Sequence, residues 1–323
     1  MTTTIDQEKL RKHQQQNLLQ TVLLLGGMGT ILAFAAYLLW GLTGLAASFM
    51  AVGLITAFSQ RLPPKFIMRL YRGKRLPRDN SQLSRIMDEL TMRARLPARP
   101  DLYVIPSATL NAFATGTPER STIALTEGLL RNLTMREIVG VLAHELSHIN
   151  NNDLWIMGIA DILSRLVQPL TYVAIFITVL NLLGSLTGEP PLSWTGVLLL
   201  YFAPAISSLL QLSLSRTREY DADTEAVILT GDPMGLASAL RRLDNETGHF
   251  IEDLALPVPA RRVPLPSLLR THPPTDERIE HILDIANSLK TPPILIKEEP
   301  MVSLVTFGPS ELLPRYRWPG LWY

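Results

Sequence analysis

The chain has 323 residues, enough for a catalytic domain plus a second element, and its 30 Lys+Arg nearly balance 29 Asp+Glu, which argues against a nucleic-acid module with its usual basic excess. Hydrophobic residues make up 47% and charged residues only 18%, against about 25% charged in an ordinary soluble domain, and the mean hydropathy is +0.17, so a membrane component is expected. Cysteine is absent, which excludes disulfides, thiolate metal sites, iron–sulfur clusters and thiol nucleophiles together and leaves any metal to His and carboxylates.

The N-terminal tail, residues 1–17, carries Lys9, Arg11 and Lys12. From Gln14 to Gln60 there is no Lys, Arg, Asp or Glu, whereas one spanning helix needs about 20 apolar residues. Residues 18–60 therefore read as a transmembrane hairpin, with spans Leu18–Trp40 and Leu42–Ser59 joined around Gly41 and Gly44, where a tight turn favours glycine. A cleaved signal peptide would have a shorter apolar core and a small-residue cleavage pattern.

Residues 61–165 are expected to be the first part of a catalytic domain. They open on Arg61, Lys65, Arg69, Arg72, Lys74, Arg75 and Arg78, interleaved with Phe66, Ile67, Leu70 and Tyr71. Beside a span, that pattern suits a helix at lipid headgroups better than a nucleic-acid patch. A helix is predicted from Asn80 or Ser81, carrying Leu83, Ile86, Met87 and Leu90 and ending before Pro97. Asp101–Ile105 and Ser121–Thr126 read as strands, and the segment between them, with Gly116 and Pro118, as turn. Thr134-Met135-Arg136-Glu137 is a capping-box pattern that opens a helix with Ile138, Val141, Leu142 and Leu146 on one face, running to about Asn150.

A second apolar tract, residues 166–214, holds Glu189 as its only charge and is broken by Gly188, Pro190 and Pro191. It reads as a second transmembrane hairpin; a buried hairpin of a soluble domain is the competing reading, because Gln168, Pro169, Pro204 and Gln211 make it less uniformly apolar. Residues 215–289 form the second catalytic part, with helices predicted at Ser215–Thr230, Met234–Asn245 and Thr275–Leu289 and a Pro-rich loop at Leu256–Pro274. Residues 290–323 are an irregular tail. Lys and Arg flank the spans at the N-terminal tail, after residue 60 and at Arg216 and Arg218, while both hairpin loops lack them, so both termini and the polar sequence are expected in the cytoplasm.

His144-Glu145-Leu146-Ser147-His148 is the strongest chemical signal. On a helix, histidines four apart share a face and can share a metal, with Glu145 beside it. A catalytic zinc commonly takes three protein ligands and leaves a fourth position to water. Position 154 is Leu154, so the longer motif with three histidines is absent, and a carboxylate is the expected third ligand. Arg218-Glu219-Tyr220-Asp221-Ala222-Asp223 offers Glu219 and Asp223 on one helical face. Glu219 can bind the metal while Asp223 accepts a hydrogen bond from a ligand histidine; alone, the same cluster would read as a solvated helix face.

These motifs, among four hydrophobic segments, resemble the HtpX family of membrane zinc metalloproteases and, more distantly, the CAAX prenyl proteases. Asn111-Ala112-Phe113-Ala114-Thr115-Gly116 resembles a further family segment, Ala124–Leu130 its edge strand before the zinc helix, and His272-Pro273-Pro274 through Arg278 another block. The resemblance spans about residues 18–285, with Tyr220 where Phe is common, and leaves the C-terminal extension uncovered. It implies a mainly α fold with a small β-sheet, in which a multi-span membrane protein carries a cytoplasmic zincin-like (gluzincin) catalytic domain. It also implies one Zn2+ on His144, His148 and Glu219, Glu145 as general base, His272 and Arg278 as donors to the tetrahedral oxygen, and Asn111 as a contact to substrate backbone.

The expected function is hydrolysis of peptide bonds in misfolded or damaged membrane proteins at the cytoplasmic face of a bacterial plasma membrane, as part of quality control and the stress response. Protein substrates and the lipid bilayer are the expected partners, and no nucleic acid. Substrate is expected to lie extended along Ser121–Thr126. Glu219 lies five residues after Leu214, about 8 Å along a continued helix, which would put the site near the membrane surface. The alternatives are a non-catalytic zinc-binding membrane adaptor and a CAAX-type prenyl-peptide protease.

Overall fold

The structure, a computed structural model, describes residues 7–58, 63–79, 81–187, 193–254, 274–286 and 291–294, together with 316–317 and 321–322. In chain order the elements begin with α1 (Gln7–Phe58), α2 (Pro64–Leu70), β1 (Lys74–Arg75), α3 (Gln82–Arg93), β2 (Asp101–Ile105), β3 (Ala112–Thr117) and β4 (Arg120–Thr126). Helices α4 (Glu127–Asn132), α5 (Met135–Asn150), α6 (Asp153–Val167), α7 (Leu170–Thr187), α8 (Trp194–Thr230), α9 (Pro233–Leu254) and α10 (Thr275–Ala286) follow. The two-residue strands β5 (Tyr316–Arg317) and β6 (Leu321–Trp322) pair antiparallel near the C-terminus. The chain is thus mainly helical with a small sheet. It forms two compact units: among the described residues, 7–58, 155–187 and 193–217 make one, and 63–154, 218–254 and the segments from 274 on make the other.

The first unit is helical and mostly apolar. Three helical stretches of the described residues, Leu18–Leu54, Asp153–Ser185 and Trp194–Thr230, are long and apolar enough to cross a bilayer. The first is interrupted at Gly41, whose φ of 61° and ψ of −145° a side chain would strain. A Cβ placed on Gly44 would lie 2.2 Å from the Ala36 carbonyl oxygen, yet a residue eight positions back in a straight helix is about 12 Å away. The chain therefore turns back on itself here. Met28, Ile159, Leu163 and Leu214 are buried together, with Val52, Trp155 and Leu210 packed around them. Apart from its first two residues, α6 belongs to this unit, ahead of the point where charge patterning starts the second apolar tract. Its charged Asp161 and Arg165 pair with each other at 2.8 Å, four residues apart.

The second unit is a four-stranded sheet in the order β1-β2-β4-β3 covered by helices on both faces. β2 and β4 are parallel, with Asp101 opposite Thr122, while β3 runs antiparallel to β4, with Phe113 opposite Ala124. Strand side chains alternate between faces. Leu102, Val104, Ile123 and Leu125 join the main core with α3, α5 and α9, whereas Tyr103, Ile105 and Ala124 pack with Met68 and Tyr71 beneath α2. Two covered faces explain why β2 and β4 read as near-continuous apolar runs.

Two sequence expectations are corrected here. The segment expected as turn is the strand β3, which Ala and Gly disguise because they favour strands weakly; its backbone is recruited by pairing with β4. In consequence Ser121–Thr126 is not an edge. It lies between β2 and β3, so its main-chain groups are already bonded on both sides, and substrate cannot extend the sheet there. Among the described residues, the free edge on that side is β3. The short helix α4 is too brief for periodicity to define, whereas α2 falls within the basic segment expected to be helical. The loop 256–273 and His272 lie outside the described residues, as does Asn80; Ser81 is the N-cap of α3, accepting from the Ser84 amide.

Candidate metal centre

Helix α5 positions the histidines, and its start is fixed by local chemistry. Thr134 Oγ accepts from the Glu137 amide, and the Glu137 carboxylate accepts from the Thr134 amide at 2.8 Å, a complete capping box. Glu137 is buried and also takes hydrogen bonds from Ser238 at 2.5 Å and an ion pair from Arg242 at 2.9 Å, which joins α5 to α9. Burial works against its charge, but these partners hold its pKa below the ordinary value. Gly140 lets the two helices touch, since a Cβ there would lie 2.9 Å from Leu236 Cα. Ile138, Leu142, Ala143 and Leu146 are fully buried, so the opposite face of α5 carries His144 and His148 to the site.

The Nε2 atoms of His144 and His148 face each other at 3.2 Å. Glu219 comes from α8, with Oε2 3.5 Å from His144 Nε2 and Oε1 3.9 Å from His148 Nε2. The three residues each offer one ligand atom, all within 4.8 Å of one another. Four ligands on zinc, with Zn–N near 2.0–2.1 Å, would stand about 3.3–3.4 Å apart, so this donor set fits a tetrahedral ion with a small closure of the carboxylate. Glu145, next to His144 in the chain, is half-buried.

Behind each histidine stands a buried carboxylate. His144 Nδ1 lies 3.1 Å from Asp223 Oδ1, an ion-pair contact whose angle falls short of a hydrogen bond. Asp223 is fully buried and receives two hydrogen bonds from Arg278, at 2.7 and 2.6 Å, while Arg278 Nη1 lies 3.1 Å from Glu219. All three guanidinium nitrogens of Arg278 thus face Asp223 and Glu219, although the residue was expected to donate to a reaction intermediate. Burial opposes a charge on His144, yet its contacts with Asp223 and Glu219 outweigh that and raise its pKa to about 10. The carboxylates that favour a proton on this ring equally favour a cation between the rings.

Asp153, absent from the sequence reading, faces the other histidine: its Oδ2 lies 2.9 Å from His148 Nδ1. Asn111 is exposed, and its backbone is held by Thr126, whose hydroxyl lies 3.0 Å from the Asn111 amide. It immediately precedes the edge strand β3, which packs against α5.

The sequence profile described as Peptidase family M48 matches residues 77–286, which include every residue of this cluster. The chain belongs to peptidase family M48. It is 35% identical over 277 residues to a protease HtpX homolog from Desulfatibacillum aliphaticivorans, covering 82% of this chain and 89% of that one. An HtpX homolog from Kineococcus radiotolerans is 36% identical over 85% of this chain and 98% of its own; one from Thermococcus sibiricus is 33% identical over 84% and 97%. Among solved structures, the Ste24p of S. mikatae is similar at 23% identity and a TM-score of 0.49, over 85% of this chain and 66% of that one. As a member of M48 and a homologue of HtpX proteases, the chain is a multi-pass membrane metalloprotease, and its substrates are proteins.

Proposed function

We propose that the chain is a zinc-dependent endopeptidase in which His144, His148 and Glu219 hold the ion and Glu145 is the general base. The observation that carries this is the convergence of one ligand atom from each of those three residues, with Glu145 between the two histidines on α5. When bound, zinc lowers the pKa of a water and polarises a carbonyl. Glu145 takes the proton of the attacking water and delivers it to the leaving amine. Arg278 holds Glu219 and Asp223 in position, and His272 donates to the oxygen of the tetrahedral intermediate. The substrate backbone extends the sheet at β3, where unpaired main-chain groups give sequence-tolerant recognition, and Asn111 contacts it at the start of that strand.

The substrates are misfolded or damaged membrane proteins, and the site faces the cytoplasm of a bacterial plasma membrane. Lys and Arg gathered beside the spans and missing from both hairpin loops support that orientation. The residues 1–17, 61–154 and 215–289 are then cytoplasmic, with 18–60 as one hairpin and 155–214, which takes in most of α6, as the other. The test is cleavage of an unfolded membrane protein by the zinc-loaded chain in detergent, beside Glu145→Gln. Wild-type cleavage that disappears in the variant, with zinc content unchanged, is expected. Equal cleavage by both would overturn the assignment of the base, and zinc binding without turnover of any protein substrate would favour an adaptor.

A further inference from the structure

We propose that Asp153, held by Arg218, is a second histidine-orienting carboxylate, which fixes His148 with Nε2 toward the metal as Asp223 and Arg278 fix His144. The inference rests on the zinc site proposed above.

The two arrangements match part by part. Each histidine presents Nδ1 to a buried aspartate, at 3.1 Å for His144 and 2.9 Å for His148. Each aspartate in turn faces a buried arginine: Asp223 is bonded to Arg278 at 2.6 Å, and Asp153 Oδ1 lies 3.2 Å from Arg218. The aspartates are 0% and 1% exposed, the arginines 7% each. A carboxylate so far from water is costly unless paired and hydrogen-bonded, and Asp153 has Arg218 and His148 as those partners. A negative oxygen at Nδ1 keeps the ring hydrogen on that nitrogen and leaves the Nε2 lone pair outward. The two Nε2 atoms face each other at 3.2 Å, close to the separation at which one tetrahedral cation can take both.

Local backbone geometry shows how Asp153 reaches a residue five positions earlier, on a side of the helix it would not share in an unbroken α-helix. α5 is capped at Asn151, whose amide still bonds to the Ser147 carbonyl at 2.9 Å, and Asn152 takes a φ of 57°. Asparagine tolerates that left-handed conformation better than most residues. The chain therefore turns before α6 starts at Asp153. The Asn150 and Asn151 side chains bond to Glu225 at 2.8 and 2.7 Å, which ties the same turn to α8. Helix α8 thus supplies a ligand, Glu219, and the clamps on both sides of the turn that carries Asp153.

Zinc affinity by competition with a chromophoric chelator, together with the thermal midpoint of the metal-free chain, separates an orienting role from a structural one. Asp153→Asn keeps the shape and removes the charge, and Asp153→Glu keeps the charge. The expected result is about 10–100-fold weaker zinc binding in Asp153→Asn, partial recovery in Asp153→Glu, and an altered visible spectrum of the cobalt-loaded Asp153→Asn chain. Wild-type affinity in a folded Asp153→Asn overturns the inference and leaves the zinc site standing. A lowered metal-free midpoint with unchanged zinc affinity also overturns it, by making the contact purely structural. If the wild type binds no zinc, the site reading fails first and the inference falls with it.

Discussion

Glu219 is the residue on which both histidines and Arg278 converge, at 3.5, 3.9 and 3.1 Å. Glu219→Gln keeps its size but removes the charge, so zinc content is expected to fall well below one ion per chain, measured by atomic emission after dialysis. Arg278 tests a different term. Arg278→Gln leaves Asp223 buried with its charge uncompensated, and breaking a buried pair from one side costs about 3–5 kcal/mol; denaturant unfolding in detergent should show a loss of that order even without metal. The residue types and spacing of His144, Glu145 and His148 are legible in the chain because a helix places residues four apart on one face. Asp153 and the engagement of Arg278 are not, since both depend on side chains meeting across elements.

At the level of elements, α5 carries the chemistry and its stability comes from its cap, its buried face and its bond to α9. Thr134→Ala removes the capping hydroxyl and is expected to cost about 1 kcal/mol. Leu142→Ala, at a fully buried position, should cost about 2–5 kcal/mol. Glu137 adds a pH dependence. Its pKa in the folded chain lies below the ordinary value of 4.5, so the stability it contributes is fully present above the unfolded value and is lost as pH falls through the folded one. The thermal midpoint of Glu137→Gln should therefore lie below wild type at neutral pH, with the gap narrowing as the pH is taken below about 4.5. The capping box announces this helix in four residues. Strand β3 had no such signal, because its pairing with β4 outweighs the weak strand preference of Ala and Gly.

For the whole molecule, the absence of cysteine makes the natural chain a blank background for labelling. With the proposed orientation, a membrane-impermeant maleimide added outside intact spheroplasts should modify Thr43→Cys, at the hairpin turn, and spare Ser81→Cys until the cells are lysed. The reverse pattern would invert the topology. Metal binding should also register globally: an ion that binds the folded chain alone stabilises it by about 2.7 kcal/mol at a hundredfold excess over its dissociation constant. Chelation is thus expected to lower the thermal midpoint, and added zinc to restore it.

Composition and order along the chain determined a great deal by themselves. Hydropathy announced membrane helices because a bilayer demands long apolar runs, and the paired histidines announced a metal because helical periodicity puts them together. Tertiary structure alone decided which strand is the sheet edge, since edge status belongs to strand order and no strand encodes its neighbours. It alone brought Asp153 to His148, through a left-handed residue at Asn152 that redirects the chain, and set Arg218 against Asp153. Spacing reports what lies on one element, whereas contacts between elements exist only after the core between them has packed.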